Sequence, residues 1–172
     1  MRQEKKVLAC VDKSDYATHV ADYAAWAAAR LSAPIELLHV IDRHPEIAAD
    51  VDRSGSIGVD AQENLLERLS QEEGERSKVI REQGRVFLNQ LRTRCETHTG
   101  LQTDTRQRYG QLLATLKEQE SSVGMYVLGR RGESASHTRR DLGRHVEAIC
   151  RQIRRPIMTV TDDFIAPKSV LV

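Results

Sequence analysis

The residues whose types and spacing could do chemistry lie between Met125 and Val160, in MYVLGRRGESASHTRRDLGRHVEAICRQIRRPIMTV. The stretch reads as a buried strand, a loop dense in arginine, a helix and a second buried strand. Gly129, Gly132 and Gly143 fall just after the first strand and at the start of the helix. Glycines let a backbone come close to a ligand, and a helix N-terminus presents unpaired N–H groups, so this pattern suits a phosphate. Arg131 and Arg144 could clamp the phosphate charge directly. The plain alternative is that Gly129 and Gly132 only permit tight turns. The arginines 130, 131, 139, 140, 144, 151, 154 and 155 would then form a solvated face.

Other candidate groups carry less. Asp12, Ser14 and Asp15 follow the first apolar run, but no histidine stands in a motif relation to them. Capping a helix and charging its first turn explains them more simply than a hydrolytic site. No Gly-x4-Gly-Lys-Ser/Thr loop is present. The six histidines show no metal-ligand spacing. His39 reads as a satisfied core or site-edge residue, and His145 falls in the first turn of the helix beside the glycine loop. Cys10, Cys95 and Cys150 are odd in number and widely spaced, which fits buried packing thiols in a reducing cytosol.

These residues need a scaffold, and 172 residues at 40% hydrophobic allow one domain with a real core. A formal net charge of +1 argues against a globally basic or acidic partner. Aromatic residues make up only 4% and do not interleave with the arginines, so nucleic-acid binding is not favoured. Met1 to Lys6 is polar and no apolar run approaches the length of a bilayer crossing, so neither a signal peptide nor a membrane span is expected.

Lys6–Val11, Ile35–Ile41, Val123–Leu128 and Ile157–Val160 are apolar runs of strand length, and Leu101–Arg108 reads as a less buried strand. Helices are expected from Asp12 to Leu31, through Leu112–Leu116, and over Leu142–Ile153. Asp42–Gly58 reads as a polar connection. From Asp60 to His98 the apolar spacing is helical, with Gly74 dividing a short helix from a long one. Trp26, on the first helix, reads as packing. Strands alternating with helices predict an α/β fold: a doubly wound, five-stranded parallel sheet with helices on both faces. The loops after the first, second and fourth strands should meet where the strand order reverses.

The order KVLACVDKSD, LLHVID, a long helical region, YGQLLATL and VLGRRG…LG…RRPIMTV resembles the universal stress protein family from Lys6 to about Thr161. The resemblance implies an adenine-nucleotide alpha-hydrolase-like sheet in a cytoplasmic stress-response protein, commonly a homodimer joined through the last strand. Some members bind ATP, with Mg, and others do not. The binding members carry Gly-x2-Gly-x9-Gly followed by Ser or Thr. Gly129-Arg130-Arg131-Gly132 matches the first half. Ten residues separate Gly132 from Gly143, and Arg144-His145-Val146 stands where small hydroxyl residues would contact phosphate.

Asp12 sits where the family places an aspartate near adenine and ribose, and Val40 where a backbone reads adenine. The nucleotide-binding set so implied joins Cys10, Val11, Asp12, Val40 and Leu128 on the nucleoside side. On the phosphate side it has Gly129, Arg131, Gly132, Gly143, Arg144 and His145. No catalytic residue emerges, so at most slow hydrolysis is expected. The alternative is a dimeric interaction module that binds no nucleotide. Residues 1–161 would form the domain, with 42–98 as a long helical insertion. Residues 162–172 form a tail whose Lys168-Ser169-Val170-Leu171-Val172 resembles Lys5-Lys6-Val7-Leu8-Ala9, as if opening a following domain in a tandem member.

Overall fold

The computed structural model describes residues 5–41, 59–130 and 144–169. The Asp42–Gly58 connection, Arg131, Gly132, Leu142, Gly143 and the last three residues of the tail lie outside the described residues.

Five strands, β1 (Lys6–Cys10), β2 (Ile35–Ile41), β3 (Thr103–Tyr109), β4 (Val123–Gly129) and β5 (Ile157–Val160), form one parallel sheet in the order β3-β2-β1-β4-β5. Helices α1 (Ala17–Leu31), α2 (Val59–Thr99), α3 (Leu112–Gln119) and α4 (Arg144–Gln152) connect them. Val7, Ala9, Ile35, Leu37 and Val127 point to the face covered by α1 and α2. Leu8, Leu38, Tyr126 and Leu128 point to the face covered by α3 and α4. Both faces of the central strands are therefore buried, which is why those strands read as unbroken apolar runs. Burying each of these leucines contributes roughly 1.5–3 kcal/mol. Ala21, Ala24, Ala25, Ala27 and Ala28 are all buried on α1, so that helix lies close against the sheet.

Three expectations are corrected. Asp12, Ser14 and Asp15 do not cap α1. The helix starts at Ala17 behind Tyr16, with no side-chain cap and no acid in its first turn. Asp12 instead folds onto its own loop, because a short carboxylate reaches the backbone two residues on as easily as a helix end. Gly74 does not divide the long helix. α2 runs unbroken for 41 residues, since one glycine costs only about 1 kcal/mol against alanine in a helix interior. Cys150 is exposed on α4, unlike Cys95, which is buried, and Cys10, which is half-buried.

Strand order reverses between β1 and β4. β2 and β3 lie to one side of β1, and β4 and β5 to the other, which opens a crevice at the carboxyl ends of β1 and β4. α2 runs antiparallel to β3: Ser77 meets Tyr109 at the carboxyl end, and Glu96 meets Thr103 at the amino end. The helix N-terminal to Ser77 therefore rises beyond the carboxyl ends of the strands. Arg68 and residues 70–76 are exposed there.

Candidate functional site at the carboxyl pole

Local pairing builds the floor of the crevice. The Val11 N–H donates to the Leu38 carbonyl at 2.9 Å, carrying the β1–β2 ladder one residue past β1. His39 Nδ1 lies 2.9 Å from the Val11 carbonyl, and since a carbonyl only accepts, Nδ1 carries the proton. The His39 ring also meets Phe87 of α2 edge-on, with centroids 5.6 Å apart. The buried His39 thus ties the ends of β1 and β2 together, and it is the satisfied core residue that the sequence suggested.

Cys10 of β1 and Val40 of β2 share the sheet face that carries α3 and α4. Like Leu112 and Leu113, the first two residues of α3, they are half-buried and pack against the buried cluster of that face. Together these four make a partly open apolar shelf. Burial, then the charges of Asp12 and Glu36, push the Cys10 thiol far up, so it is a neutral packing group and not a nucleophile. Leu128 is buried opposite Cys10, and Gly129 stands opposite Val160.

Asp12 is half-buried at the end of β1. Its Oδ1 accepts from the Ser14 N–H at 3.1 Å and from the Ser14 hydroxyl. The turn holds the carboxylate at the rim of the crevice. Arg130 follows β4, and its N–H donates to the Val160 carbonyl at 2.7 Å. Its Nε is buried and meets no acceptor among the described residues.

The structure thus brings Cys10, Val11, Asp12, Val40, Leu128 and Gly129 to one pole of the sheet. Arg144 and His145 open α4, and His145 is exposed. Arg131, Gly132 and Gly143 lie outside the described residues. Leu112, Leu113 and Arg130 were not singled out from the sequence as site residues. The leucines read there only as the apolar face of a helix, and nothing in the sequence distinguishes Arg130 from Arg131. Among the described residues, no group of three or more His, Cys, Asp and Glu could hold a metal ion. No helix among them is long and apolar enough to cross a membrane. Apolar shelf, rim carboxylate, glycine-ended strand and arginine make a surface that can hold a ligand with a flat apolar part and an anionic part.

A parallel sheet wound in both directions, with its crevice at the reversal, defines a doubly wound α/β protein of Rossmann-like architecture. Residues 4–161 match the universal stress protein family, and the chain belongs to it. It is 30% identical over 168 residues to the universal stress protein Slr1230 of Synechocystis, covering 97% of this chain and 58% of that protein. The chain thus spans little more than half the length of that curated relative.

Solved structures share the fold. The protein MJ0577 superposes with a TM-score of 0.65 at 17% identity, over 95% of this chain and 99% of its own. A universal stress protein in complex with cAMP gives 0.57 at 17% identity, over 93% and 98%. The universal stress protein of Archaeoglobus fulgidus in complex with dAMP gives 0.52 at 14% identity, over 91% and 98%.

Proposed function

We propose that this chain binds an adenine nucleotide at the carboxyl pole and acts without turnover as a stress-response protein. One observation carries the reading: Cys10, Val40, Leu112 and Leu113 are half-buried against one core cluster, and Asp12 follows two residues after Cys10 at the reversal of strand order. The shelf suits the flat face of adenine, and Asp12 suits a ribose hydroxyl as an acceptor. Val11, Leu128 and Gly129 shape the floor, with Val40 offering backbone. Arg131, Gly132, Gly143, Arg144 and His145 complete the proposed set on the phosphate side. The family relatives described with cAMP and dAMP support an adenine nucleotide as the ligand class.

ATP is the ligand we propose within that class. Magnesium would enter on the phosphates, because a phosphate-bound ion needs few protein ligands. We also propose a cytoplasmic homodimer joined through β5, which among the described residues is an edge strand paired with β4.

A second reading, a pure interaction module, draws on α2. Its exposed residues 70–76 rise beyond the sheet, where a partner could take hold.

Thermal unfolding with ATP–Mg, AMP and adenosine separates the two. At ten times Kd a ligand adds about 1.4 kcal/mol, roughly 3–6 °C for a chain of this size. A saturable rise of that order, lost in Asp12→Ala, supports the nucleotide site. No rise with any of the three at millimolar concentration refutes it and leaves the interaction module.

A further inference from the structure

We infer that Arg130 joins the phosphate-side set and reads the phosphate of the bound nucleotide through its side chain; the inference rests on the adenine-nucleotide reading above. Four arginines of the basic segment have described side chains: Arg130, Arg151, Arg154 and Arg155. Arg151 pairs with Glu147 at 2.8 Å on the outside of α4. Arg155 donates through Nε to the Glu120 carbonyl at 3.2 Å. Arg154 is exposed beyond α4. Only Arg130 among these four has an Nε that is buried with no acceptor among the described residues.

Its place in the fold matters equally. Cys10 stands opposite Leu128 in the β1–β4 register. Asp12 and Arg130 each follow two residues after that pair, beyond the carboxyl ends of β1 and β4. A nucleotide whose ribose meets Asp12 would bring its phosphate toward β4 and the start of α4. Asp12 itself has Oδ1 occupied by Ser14. A buried donor without an acceptor costs free energy, and a guanidinium edge presents two parallel N–H groups that fit two phosphate oxygens. The Arg130 main chain is held by Val160 at 2.7 Å, so the side chain starts from a fixed point. Such a residue discriminates nucleotide from nucleoside and leaves adenine recognition untouched.

The test is calorimetric titration of the full chain with AMP and with adenosine, comparing wild type, Arg130→Gln, Arg130→Lys and Arg131→Gln. We expect wild type to prefer AMP, and Arg130→Gln to weaken AMP by about tenfold while adenosine binds as before. Arg130→Lys, which keeps the charge and loses the fork, should fall between them. It also serves where the glutamine variant does not fold. Adenosine binding in each variant reports an intact fold.

An unchanged AMP-to-adenosine ratio in Arg130→Gln and Arg130→Lys overturns the inference. So does a ratio that collapses in Arg131→Gln alone. A wild type that binds adenosine and AMP equally also overturns it while leaving the nucleoside site standing. A wild type that binds neither removes the nucleotide reading itself.

Discussion

Replacing Lys6 by methionine should destabilise the protein strongly, whereas replacing Lys6 and Glu36 together should not. Lys6 opens β1, and its Nζ donates to Glu36 Oε2 at 2.8 Å and to Gln119 Oε1 at 2.9 Å. The Glu36 side chain is only 6% exposed, and its second cation, Arg106, stands 3.5 Å away with a side chain 44% exposed. At 2.8 Å and an effective dielectric constant near 20, the Lys6–Glu36 attraction is about 6 kcal/mol before desolvation is subtracted. Desolvation removes most of that, so the pair contributes little relative to apolar residues of similar volume. Removing one partner differs, because it leaves a buried carboxylate short of its closest counter-charge, at about 3–5 kcal/mol. Arg106 remains, which places Lys6→Met near the lower end, at about 3 kcal/mol. With a urea m-value of about 2 kcal/mol/M, the unfolding midpoint should drop by roughly 1.5 M. Lys6→Met/Glu36→Met should return to within about 1 kcal/mol of wild type. The network sits at the amino ends of the strands, so adenosine affinity should be unchanged in both. A single variant that costs under about 1 kcal/mol, or a double variant as unstable as the single, would refute the argument.

Four further outcomes can be checked by denaturant unfolding or hydrogen exchange. Gly74 has open space around it on the exposed part of α2, so Gly74→Ala should raise the protection of that part by about 1 kcal/mol; the methyl of Gly84→Ala would push aside the end of the Gln107 side chain, so it should gain less than Gly74→Ala, and adding Gln107→Ala should recover the difference. Ser32 ends α1 in the left-handed region at φ 49°, so Ser32→Gly should stabilise by about 0.5–1 kcal/mol; a loss would mean that the Ser32 side chain has a role the cap does not explain. Burial, and next the Asp22 charge, push the Cys95 thiol from 9.0 to about 12. The unfolded chain therefore releases this proton first, and stability should fall as pH rises from about 9 toward about 12. The slope is up to about 1.4 kcal/mol per pH unit for this thiol. Cys95→Ala should flatten that slope, and an unchanged slope would show that the thiol is not buried in solution.

Where burial alone decides an element, the sequence is sufficient. KVLAC and IELLHVI are apolar because both faces of their strands are covered, so their place in a parallel sheet could be read directly. TDTRQRY, at the edge, was legible as a weaker strand for the same reason: its Asp104 and Arg106 face solvent. Choices between near-equal local energies were not legible. Asp12 could cap a helix or close its own turn, and the difference is a few tenths of a kcal/mol to about one. Gly74 could break a helix or be carried by it, and the flanking helix formers outweigh its cost of about 1 kcal/mol. The His39 bond to the Val11 carbonyl joins residues 28 apart, a distance no local pattern encodes.

The same distinction separates the two halves of the site. Val11, Leu128 and the buried side of the Cys10–Val40 shelf belong to the hydrophobic core as well as to the crevice. Substituting them changes packing and binding together, at roughly 1–3 kcal/mol of stability for a change in volume. The proposed nucleoside side is thus constrained by the fold itself. Arg130 carries no such load. Its backbone completes the β4–β5 ladder whatever its side chain, through the Val160 carbonyl. The side chain at this position is therefore free to vary without unfolding the sheet. On the proposed reading, a phosphate contact at residue 130 leaves the proposed adenine floor as it is. On this argument, changes on the phosphate side should alter affinity at constant stability. Changes on the shelf should alter both in proportion, and a plot of binding against unfolding free energy across such variants should divide into those two groups.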